Sequence, residues 1–345
     1  MKSRDDRFMR IALSEARKGL GLTSPNPAVG ALLTTGEKIL SRGHHRGAGL
    51  PHAEIECLRK FGRRIPERAA LYVTLEPCST IGRTGACTDE IIASRVRRVV
   101  VGAIDPNPRH SGRGIELLQN AGIEVEVGVL SGECASLNEA FNKWIGTGLP
   151  FVVAKCGMSL DGRLTRPPRE SRWITGTKAR SDAQALRASV DAILVGAETV
   201  RKDNPRLTVR AGRVARQPLR VILTRSKILP RTAHLFTDRF AGKTLIYRNR
   251  SLAAVLRDLG QRNVNSVMIE GGGDVLSQAL DGRMIDKVQI YLGKMITGGP
   301  VVAFAGKGAR DTSHAVRLRS VSFRQLNGDL CITGYPEYPE PGGTE

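Results

Sequence analysis

Apolar and polar positions along the first half of the chain repeat with helical and strand periods in turn. A helical period over residues 5–18 predicts an opening helix, and two glycines follow that can end it. The apolar run 28–33 and the segment 38–40, joined at Gly36, predict a hairpin. Further helices are predicted over 53–61, 88–94 and 114–121, and further strands over 71–74, 98–102 and 124–129. This order predicts a helix-covered sheet of mixed direction.

A second α/β pattern begins after Thr147-Gly148-Leu149-Pro150, where a helix stop and a proline precede the apolar strand 151–154. Strands are predicted over 192–195, 219–223, 244–247, 266–269 and 287–292, and helices over 178–188, 252–259 and 274–280. The end of the chain is rich in Pro, Gly and Glu, which is typical of disorder. The sequence therefore predicts one domain over residues 1–147, a second over 151–335 and a disordered tail over 336–345.

The composition is that of a globular protein. With 41% hydrophobic and 25% charged positions in 345 residues, each of two ordinary domains could bury a core of its own. The first ten residues are charged, and no run of eighteen apolar residues occurs, so we expect no signal peptide, no membrane span and a cytoplasmic location. Six irregularly spaced cysteines then predict core thiols or metal ligands rather than disulfides.

The net charge of +20 raises the question of a nucleic-acid partner. Residues 1–150 contain 21 Lys and Arg against 16 Asp and Glu, whereas the remainder contains 32 against 17. These cations form no dense run, and only 4% of residues are aromatic, so a surface for stacking bases is poorly supplied. We therefore expect no nucleic-acid partner, and a phosphorylated small substrate and cofactor would account for part of the excess equally well.

Three residues have the chemistry and spacing of a catalytic zinc site. His52-Ala53-Glu54 begins a predicted helix, Glu76-Pro77-Cys78 ends a predicted strand, and Cys87 follows nine positions after Cys78. One imidazole and two thiolates fill three of the four tetrahedral positions of zinc, which leaves one for water, and an open position distinguishes catalytic sites from structural ones. Glu54 is then placed to move protons between this water and a departing amine. A His-x-Glu and Pro-Cys arrangement of this kind is found in zinc deaminases that act on bases.

The alternative for any cysteine is that it fills the core as a small apolar side chain. We interpret Cys57, Cys134, Cys156 and Cys331 in that way. For Cys78 and Cys87 a filler role would leave the neighbouring His-Ala-Glu and Glu-Pro-Cys motifs unexplained. The pattern therefore predicts a zinc-dependent deaminase in the first half of the chain.

The motifs around these residues resemble those of the bifunctional deaminase/reductase family of bacterial riboflavin biosynthesis. The matching stretches in the first half are Pro25-Asn26-Pro27-Ala28-Val29-Gly30, Pro51-His52-Ala53-Glu54, Tyr72-Val73-Thr74-Leu75-Glu76-Pro77-Cys78-Ser79, Gly82-Arg83-Thr84 and Asp105-Pro106-Asn107-Pro108. Eight residues separate the two cysteines, as in this family, whereas cytidine and tRNA adenosine deaminases usually have two there. The resemblance implies a cytidine-deaminase-like mixed sheet with covering helices in this half.

The resemblance extends over nearly the whole chain. The matching stretches in the second half are residues 155–163, Ser171-Arg172-Trp173-Ile174-Thr175, residues 203–210 and Ile269-Glu270-Gly271-Gly272-Gly273. They imply a dihydrofolate-reductase-like α/β domain that uses NADPH. The glycine run between a predicted strand and a predicted helix is also suited to a pyrophosphate, because it offers backbone N–H groups, although an ordinary tight turn would look the same.

Carried over position by position, the resemblance implies three groups of binding residues. The cofactor NADPH would be lined by Gly157, Trp173, Thr199, Asp203, Ser226, Gly272, Gly273 and Asp274. The substrate of the reductase would be held by Lys155, Ser171, Arg187, Leu207, Arg210 and Glu270, with the two arginines on its 5′-phosphate. The substrate of the deaminase would lie near Asn26, His45, Arg83 and Asn107. Trp173 could instead pack in the core, and Asn26 and Asn107 could simply form turns.

These expectations combine into a two-step enzyme. Zinc-dependent deamination of a ribosylaminopyrimidine 5′-phosphate would be followed by NADPH-dependent reduction of its ribosyl group, and the family makes a homo-oligomer plausible. Two rivals stay open, namely a nucleic-acid deaminase with a basic binding domain, and a deaminase whose second half is a non-catalytic module. The sequence departs from the family at Thr80-Ile81 and Gly85-Ala86, where His-His or His-Tyr and two prolines are frequent. We expect metal binding to survive this change and turnover to be sensitive to it.

Overall fold

The computed structural model describes residues 3–80, 85–165, 173–210, 216–225 and 228–340. The chain divides into two compact units between Gly148 and Leu149. None of the helices in these ranges has the length and apolar character that a bilayer crossing requires. Each unit consists of one sheet covered by helices.

The helices of the first unit are α1 (Arg4–Ala16), α2 (Ala53–Phe61), α3 (Cys87–Ala93), α4 (Arg113–Asn120), α5 (Ser131–Leu137) and α6 (Glu139–Thr147). Its strands are β1 (Gly30–Thr35), β2 (Lys38–His44), β3 (Ala69–Leu75), β4 (Arg98–Ala103) and β5 (Glu124–Val127). They form a sheet in the order β2-β1-β3-β4-β5, in which β1 is antiparallel to both neighbours while β3, β4 and β5 are parallel. The predicted mixed sheet and the hairpin at Gly36 are confirmed.

The core of this unit lies between the sheet and its helices. All seven residues of β3 are buried, because the strand is central and covered on both faces. Helix α2 packs unusually close to β2, since a side-chain carbon at Gly43 would overlap the backbone of Ala53 and Cys57. This close approach fixes the position of the first turn of α2, where His52 and Glu54 lie.

The helices of the second unit are α7 (Thr177–Ser189), α8 (Ala197–Asp203), α9 (His234–Thr237), α10 (Leu252–Gln261) and α11 (Gly273–Asp281). Its strands are β6 (Phe151–Met158), β7 (Ala192–Gly196), β8 (Leu219–Thr224), β9 (Thr244–Arg248), β10 (Ser266–Glu270), β11 (Lys287–Leu292), β12 (Arg317–Leu326) and β13 (Asp329–Glu337). The sheet order is β12-β13-β11-β6-β10-β7-β8-β9. All neighbours are parallel except β13, which is antiparallel to β11 and β12.

The predicted elements are all present, with α2 and β11 at the predicted bounds, but several elements were missed. Helices α5, α6 and α8 are short and follow other elements closely, so no long period marked them. Strand β12 is largely exposed and polar and lacks an apolar alternation. Cys57, Cys134, Cys156 and Cys331 are buried, as expected of core thiols.

The prediction of a disordered tail from residue 336 is wrong at its start. Pro336 and Glu337 complete β13, and the Tyr338 hydroxyl donates to Ile285 O and accepts from Ile285 N, both at 3.1 Å. Pairing with β12 supplies the order that the Pro-rich and Glu-rich composition did not indicate, because backbone ladder bonds depend little on side-chain type. Residues 341–345 lie outside the described ranges.

Candidate active sites

The three residues predicted to bind metal come from three different elements of the first unit. His52 is the N-cap of α2, Cys78 follows β3, and Cys87 is the first residue of α3. The backbone N–H of Cys87 donates to Cys78 Sγ at 3.4 Å, and Thr88 N–H donates to Cys78 O at 3.2 Å. The start of α3 is thereby tied to the segment after β3, and this tie brings the two cysteines together.

The ligand atoms of His52, Cys78 and Cys87 lie within 4.8 Å of one another. His52 Nδ1 is 3.2 Å from Cys87 Sγ and 3.5 Å from Cys78 Sγ. The hydrogen bond from Cys87 lowers the pKa of the Cys78 thiol, which favours the thiolate form that binds metal. One nitrogen and two sulfur donors at this spacing fit a tetrahedral zinc ion with one position left open.

Glu54 lies beside this cluster in the first turn of α2 and is only 3% exposed. Its Oε2 atom has no hydrogen-bond partner in the described part of the chain. Burial raises the pKa of the Glu54 carboxyl to about 7. A buried carboxyl oxygen without a hydrogen-bond partner lowers the stability of the fold. Its presence here indicates that it meets a polar group when the site is filled.

His45 lies next to His52, and Asn26 lies next to His45. The rings of His45 and His52 meet edge to face with their centroids 5.1 Å apart. His45 Nδ1 donates to Pro51 O at 3.1 Å, so in the neutral ring His45 Nε2 accepts from Asn26 Nδ2 at 3.2 Å. Burial lowers the pKa of His45, which favours this neutral form. The pair orients the amide of Asn26 next to the metal ligands, as expected of a residue near the substrate.

Glu76 was not singled out from the sequence, although it organises the loop beside the metal cluster. Its buried carboxylate accepts backbone N–H bonds from Asp105 at 3.1 Å, Gly112 at 3.0 Å and Gly114 at 2.9 Å. It thereby joins the end of β3 to the start of α4. Asn107 lies in this loop, but its Oδ1 accepts from Arg109 N at 3.1 Å, as a turn former does, and among the described residues it forms no hydrogen bond with His52, Cys78 or Cys87.

Three of the residues predicted to bind the reductase substrate form one ion cluster in the second unit. Glu270, at the end of β10, accepts from Lys155 Nζ at 3.0 Å and from Arg187 Nη2 and Nε at 2.7 and 2.8 Å. Their side chains are 12–15% exposed. Burial alone would raise the pKa of Glu270, but the two cations lower that pKa to about 2. The guanidinium fork of Arg187 is therefore already engaged by a carboxylate, and its predicted bond to phosphate would have to share that fork.

The glycine run after β10 forms a cradle of bare backbone. Gly271 and Gly272 have φ angles of +94° and +73°, which favour glycine, and Gly272 caps the start of α11. A side-chain carbon at Gly273 would overlap Val302 O, and one at Gly272 would lie 3.4 Å from Thr199 Oγ1. The run and Thr199 are thus adjacent, as predicted for a dinucleotide site, and the backbone fits a pyrophosphate at a helix start.

The other predicted residues have varied surroundings. Trp173 is 43% exposed with the Arg180 guanidinium 4.7 Å above its ring, which rules out the alternative of core packing. Leu207 is buried, and Asp274 Oδ2 accepts from Gln278 Nε2 at 3.0 Å. The remaining described members are Gly157 in β6, Asp203 at the end of α8 and the exposed Arg210. Arg83, Ser171 and Ser226 lie outside the described residues.

Comparison with known families identifies both halves. Residues 2–103 match the cytidine and deoxycytidylate deaminase zinc-binding region, and residues 150–332 match the RibD C-terminal domain. The riboflavin biosynthesis protein RibD of Aquifex aeolicus is 37% identical over 95% of this chain and 97% of its own length. The chain belongs to the RibD family. The RibD protein of Escherichia coli, 33% identical over 95% of this chain and 98% of its own length, agrees with this assignment.

Solved RibD structures have the same fold. Acinetobacter baumannii RibD matches with a TM-score of 0.89 at 34% identity, covering 96% of this chain and 99% of that one. A Thermotoga maritima relative, described as a diaminohydroxyphosphoribosylaminopyrimidine deaminase/5-amino-6-(5-phosphoribosylamino)uracil reductase, matches with a TM-score of 0.87 at 36% identity over the same shares. The units thus have the cytidine-deaminase-like and dihydrofolate-reductase-like folds of RibD.

This RibD chain is a bifunctional enzyme of riboflavin biosynthesis. Its first domain is a zinc-dependent deaminase and its second an NADPH-dependent reductase. The family assignment removes the rival in which the second half is a non-catalytic module.

Proposed function

We propose that residues 1–147 deaminate a 2,5-diamino-6-ribosylamino-4(3H)-pyrimidinone 5′-phosphate and that residues 151–335 then reduce its ribosyl group to ribityl. The Thermotoga maritima relative, which matches over 96% of this chain, is described as a deaminase and reductase of substrates of this kind. The observation that carries the proposal is the buried Oε2 of Glu54, which has no hydrogen-bond partner in the described ranges and lies beside the His52, Cys78 and Cys87 cluster.

The deaminase residues have different roles in the first step. His52, Cys78 and Cys87 would hold zinc, which when bound supplies a Lewis acid that makes water reactive at neutral pH. Glu54 accepts a proton from the attacking water on Oε2 and donates it to the amine that leaves. Burial raises the pKa of Glu54 toward the range in which a carboxyl can both accept and donate a proton, and the charge of a bound zinc ion would oppose this shift. Asn26, oriented by His45, faces the pyrimidine edge with an amide that can donate and accept.

The reductase residues position charge for the second step. NADPH, which supplies the reducing equivalents, would lie along Gly271 to Gly273 and Thr199, where the glycines leave the backbone without side chains at the start of α11. Lys155 can give a proton to the ribosyl oxygen as the sugar is reduced, and Glu270 orients the ammonium group that does so. Arg187 and Arg210 would then contact the 5′-phosphate.

The experiment supplies the purified, zinc-loaded protein with the diaminopyrimidine substrate and measures ammonia release and NADPH oxidation separately. We expect ammonia to appear with or without NADPH, and NADPH oxidation to begin only after deamination. If no ammonia appeared, the proposed deamination would be wrong. If ammonia appeared without NADPH oxidation, the proposed reduction would be wrong. Supplying the deaminated intermediate directly tests the reductase on its own.

A further inference from the structure

Asn138 is a buried asparagine of the first unit that no reaction step described above uses. It lies where α5 ends and α6 begins, within residues 104–149, the segment between the two family matches. Only 5% of its surface is exposed. A buried side-chain amide requires hydrogen-bond partners within the protein, so these partners indicate what Asn138 does.

Asn138 binds both backbone groups of Ala28, although 110 positions separate the two residues. Its Oδ1 accepts from Ala28 N at 2.8 Å, and its Nδ2 donates to Ala28 O at 2.9 Å. Two opposite residues of an antiparallel ladder exchange the same pair of bonds, so the amide binds Ala28 as a neighbouring strand would. Ala28 is 3% exposed and lies two residues before β1. It is therefore held in one orientation by this asparagine.

The position of Asn138 is itself fixed by close packing of α5 and α6. Cys134, one turn earlier in α5, lies against β4, where a side-chain carbon at Gly102 would come within 2.4 Å of Cys134 Sγ. The backbone N–H of Asn138 donates to Ala135 O at 3.1 Å, and its carbonyl oxygen accepts from Asn142 N at 2.8 Å. The amide thus extends from a backbone that has little freedom to move.

Ala28 is only two residues from Asn26, the asparagine whose amide His45 orients beside the metal ligands. Pro27 lies between them and keeps its φ angle near about −65°, which limits how far the two residues can move separately. On its other side Asn26 N–H donates to Thr23 O at 2.9 Å. A displacement of Ala28 would therefore displace Asn26 as well.

We propose that Asn138 is a positioning residue of the deaminase, which holds Asn26 at the pyrimidine edge through its two bonds to Ala28. This inference rests on the proposed function, in which Asn26 faces the pyrimidine. Without the Asn138 amide, the buried N–H and carbonyl groups of Ala28 would lose their partners, and the segment would shift to find others. Glu54 and the metal ligands lie on other elements and would stay in place, so substrate binding should weaken more than the chemical step.

The test is the steady-state kinetics of ammonia release by the full, zinc-loaded protein with the diaminopyrimidine substrate. We expect Asn138→Ala to raise the KM about fivefold and to change kcat little. Asn138→Asp keeps the shape of the side chain and the bond from Ala28 N, but it turns an acceptor toward Ala28 O. It should also raise the KM, and it provides a second measurement if Asn138→Ala does not fold.

Asn142→Ala is the matched control. Asn142 lies in α6, and its Nδ2 donates to Ala135 O at 3.0 Å, a bond that lies within the junction of α5 and α6. The control therefore removes an asparagine amide from the same junction and keeps the two bonds to Ala28. Its KM for deamination should equal that of the wild type.

The double variant Asn26→Ala/Asn138→Ala shows whether Asn138 acts through Asn26. If it does, the KM should equal that of Asn26→Ala alone, about tenfold above the wild type, whereas independent effects would multiply to about fiftyfold. The inference is overturned if the effects multiply. It is also overturned if Asn138→Ala and Asn138→Asp lower the melting temperature but keep the wild-type KM, as a purely structural role would. Failure of the proposed function differs from both, because the wild type itself would then release no ammonia.

Discussion

Glu54 and Glu270 are both largely shielded from water, yet their surroundings are opposite. Glu54 is 3% exposed, its Oε2 meets no hydrogen-bond partner within the part of the chain that the structure describes, and burial raises its pKa to about 7. The side chain of Glu270 is 13% exposed, and Lys155 and Arg187 hold its pKa at about 2 in spite of burial. The deaminase half thus keeps a carboxyl that can change its protonation state, and the reductase half keeps one that cannot.

The difference follows from what each domain requires. Proton transfer is fastest when the pKa of the acid or base lies near the working pH, which burial next to the metal ligands provides for Glu54. A permanent carboxylate instead fixes cations, and Glu270 holds the ammonium of Lys155 and the fork of Arg187 in one geometry. Substitution of either residue should therefore affect one reaction and spare the other.

The largest effect is expected from Glu54→Gln. The amide keeps the shape of the side chain but cannot exchange a proton, so ammonia release should fall about a thousandfold. Zinc content, measured by elemental analysis, and NADPH oxidation with the deaminated intermediate should be unchanged.

Glu56→Gln is the matched control for this change. Glu56 lies in the same helix, and its carboxylate pairs with Lys60 at 2.9 Å and with Arg46 at 2.5 Å. Its loss should leave ammonia release near the wild-type rate. If Glu54→Gln released ammonia as fast as Glu56→Gln, Glu54 would have no role in the deamination.

The second effect is expected from Glu270→Gln, which leaves Lys155 and Arg187 without their counter-charge. Loss of the carboxylate charge from this buried ion cluster should lower the free energy of unfolding of the second unit by about 3 kcal/mol. NADPH oxidation should fall about a hundredfold, because the cations lose their orientation. Ammonia release and zinc content should not change, and both are measured on the same preparation.

Glu198→Gln provides the comparison for Glu270→Gln. Glu198 pairs with Arg201 and Lys202 on the exposed surface of α8, where solvent screens the interaction. Its substitution should leave stability and NADPH oxidation unchanged. If both substitutions changed stability and NADPH oxidation equally, the ion cluster around Glu270 would contribute no more than an exposed ion pair.

The chemistry of the metal site could be predicted from the sequence more fully than its surroundings. Zinc accepts few residue types, so His52, Cys78 and Cys87 were recognisable before any fold was known, and the fold brings them within 4.8 Å. Glu76 was part of the Glu-Pro-Cys motif, but its role could not be found in this way. Its partners are backbone N–H groups 29 to 39 positions away, and backbone groups leave no signature in a sequence.

The reductase half shows the same limit. Lys155, Arg187 and Glu270 were each indicated by family resemblance, but their union in one cluster depends on contacts across 115 and 83 positions. Strand β12 was missed because its exposed polar residues have no apolar alternation, and its pairing with β13 alone defines it. Periodicity therefore predicts elements that bury a face and fails for those held mainly by backbone bonds.

A third, smaller effect is the dependence of stability on pH. In the folded protein the pKa of Glu270 is about 2, below its ordinary value of 4.5. The contribution of its carboxylate to the stability of the second unit is therefore complete above pH 4.5 and is lost as the pH falls through about 2. The stability gap between the wild type and Glu270→Gln should therefore narrow by roughly 2 kcal/mol over this window. Hydrogen exchange at the amides of β7 and β10 reports on this unit. A gap that stayed constant would mean that the two cations do not lower the pKa of Glu270.

The smallest effect should come from Asn26→Ala, which separates recognition from proton transfer at the Glu54 site. Asn26 Nδ2 donates to His45 Nε2, which leaves the amide oxygen to meet the pyrimidine. Its loss should raise the KM for deamination about tenfold and change kcat little, because Glu54 and the metal ligands remain.

Asn107→Ala is the comparison, because the amide oxygen of Asn107 already accepts from Arg109 N in its own turn. This variant should lower the melting temperature of the first unit and leave the KM nearly unchanged, in contrast to the earlier expectation that Asn107 contacts substrate. If instead both variants raised the KM alike, both asparagines would face the ring. If Asn26→Ala lowered kcat at constant KM, the Asn26–His45 pair would act on the proton path through Glu54 and not on the substrate edge.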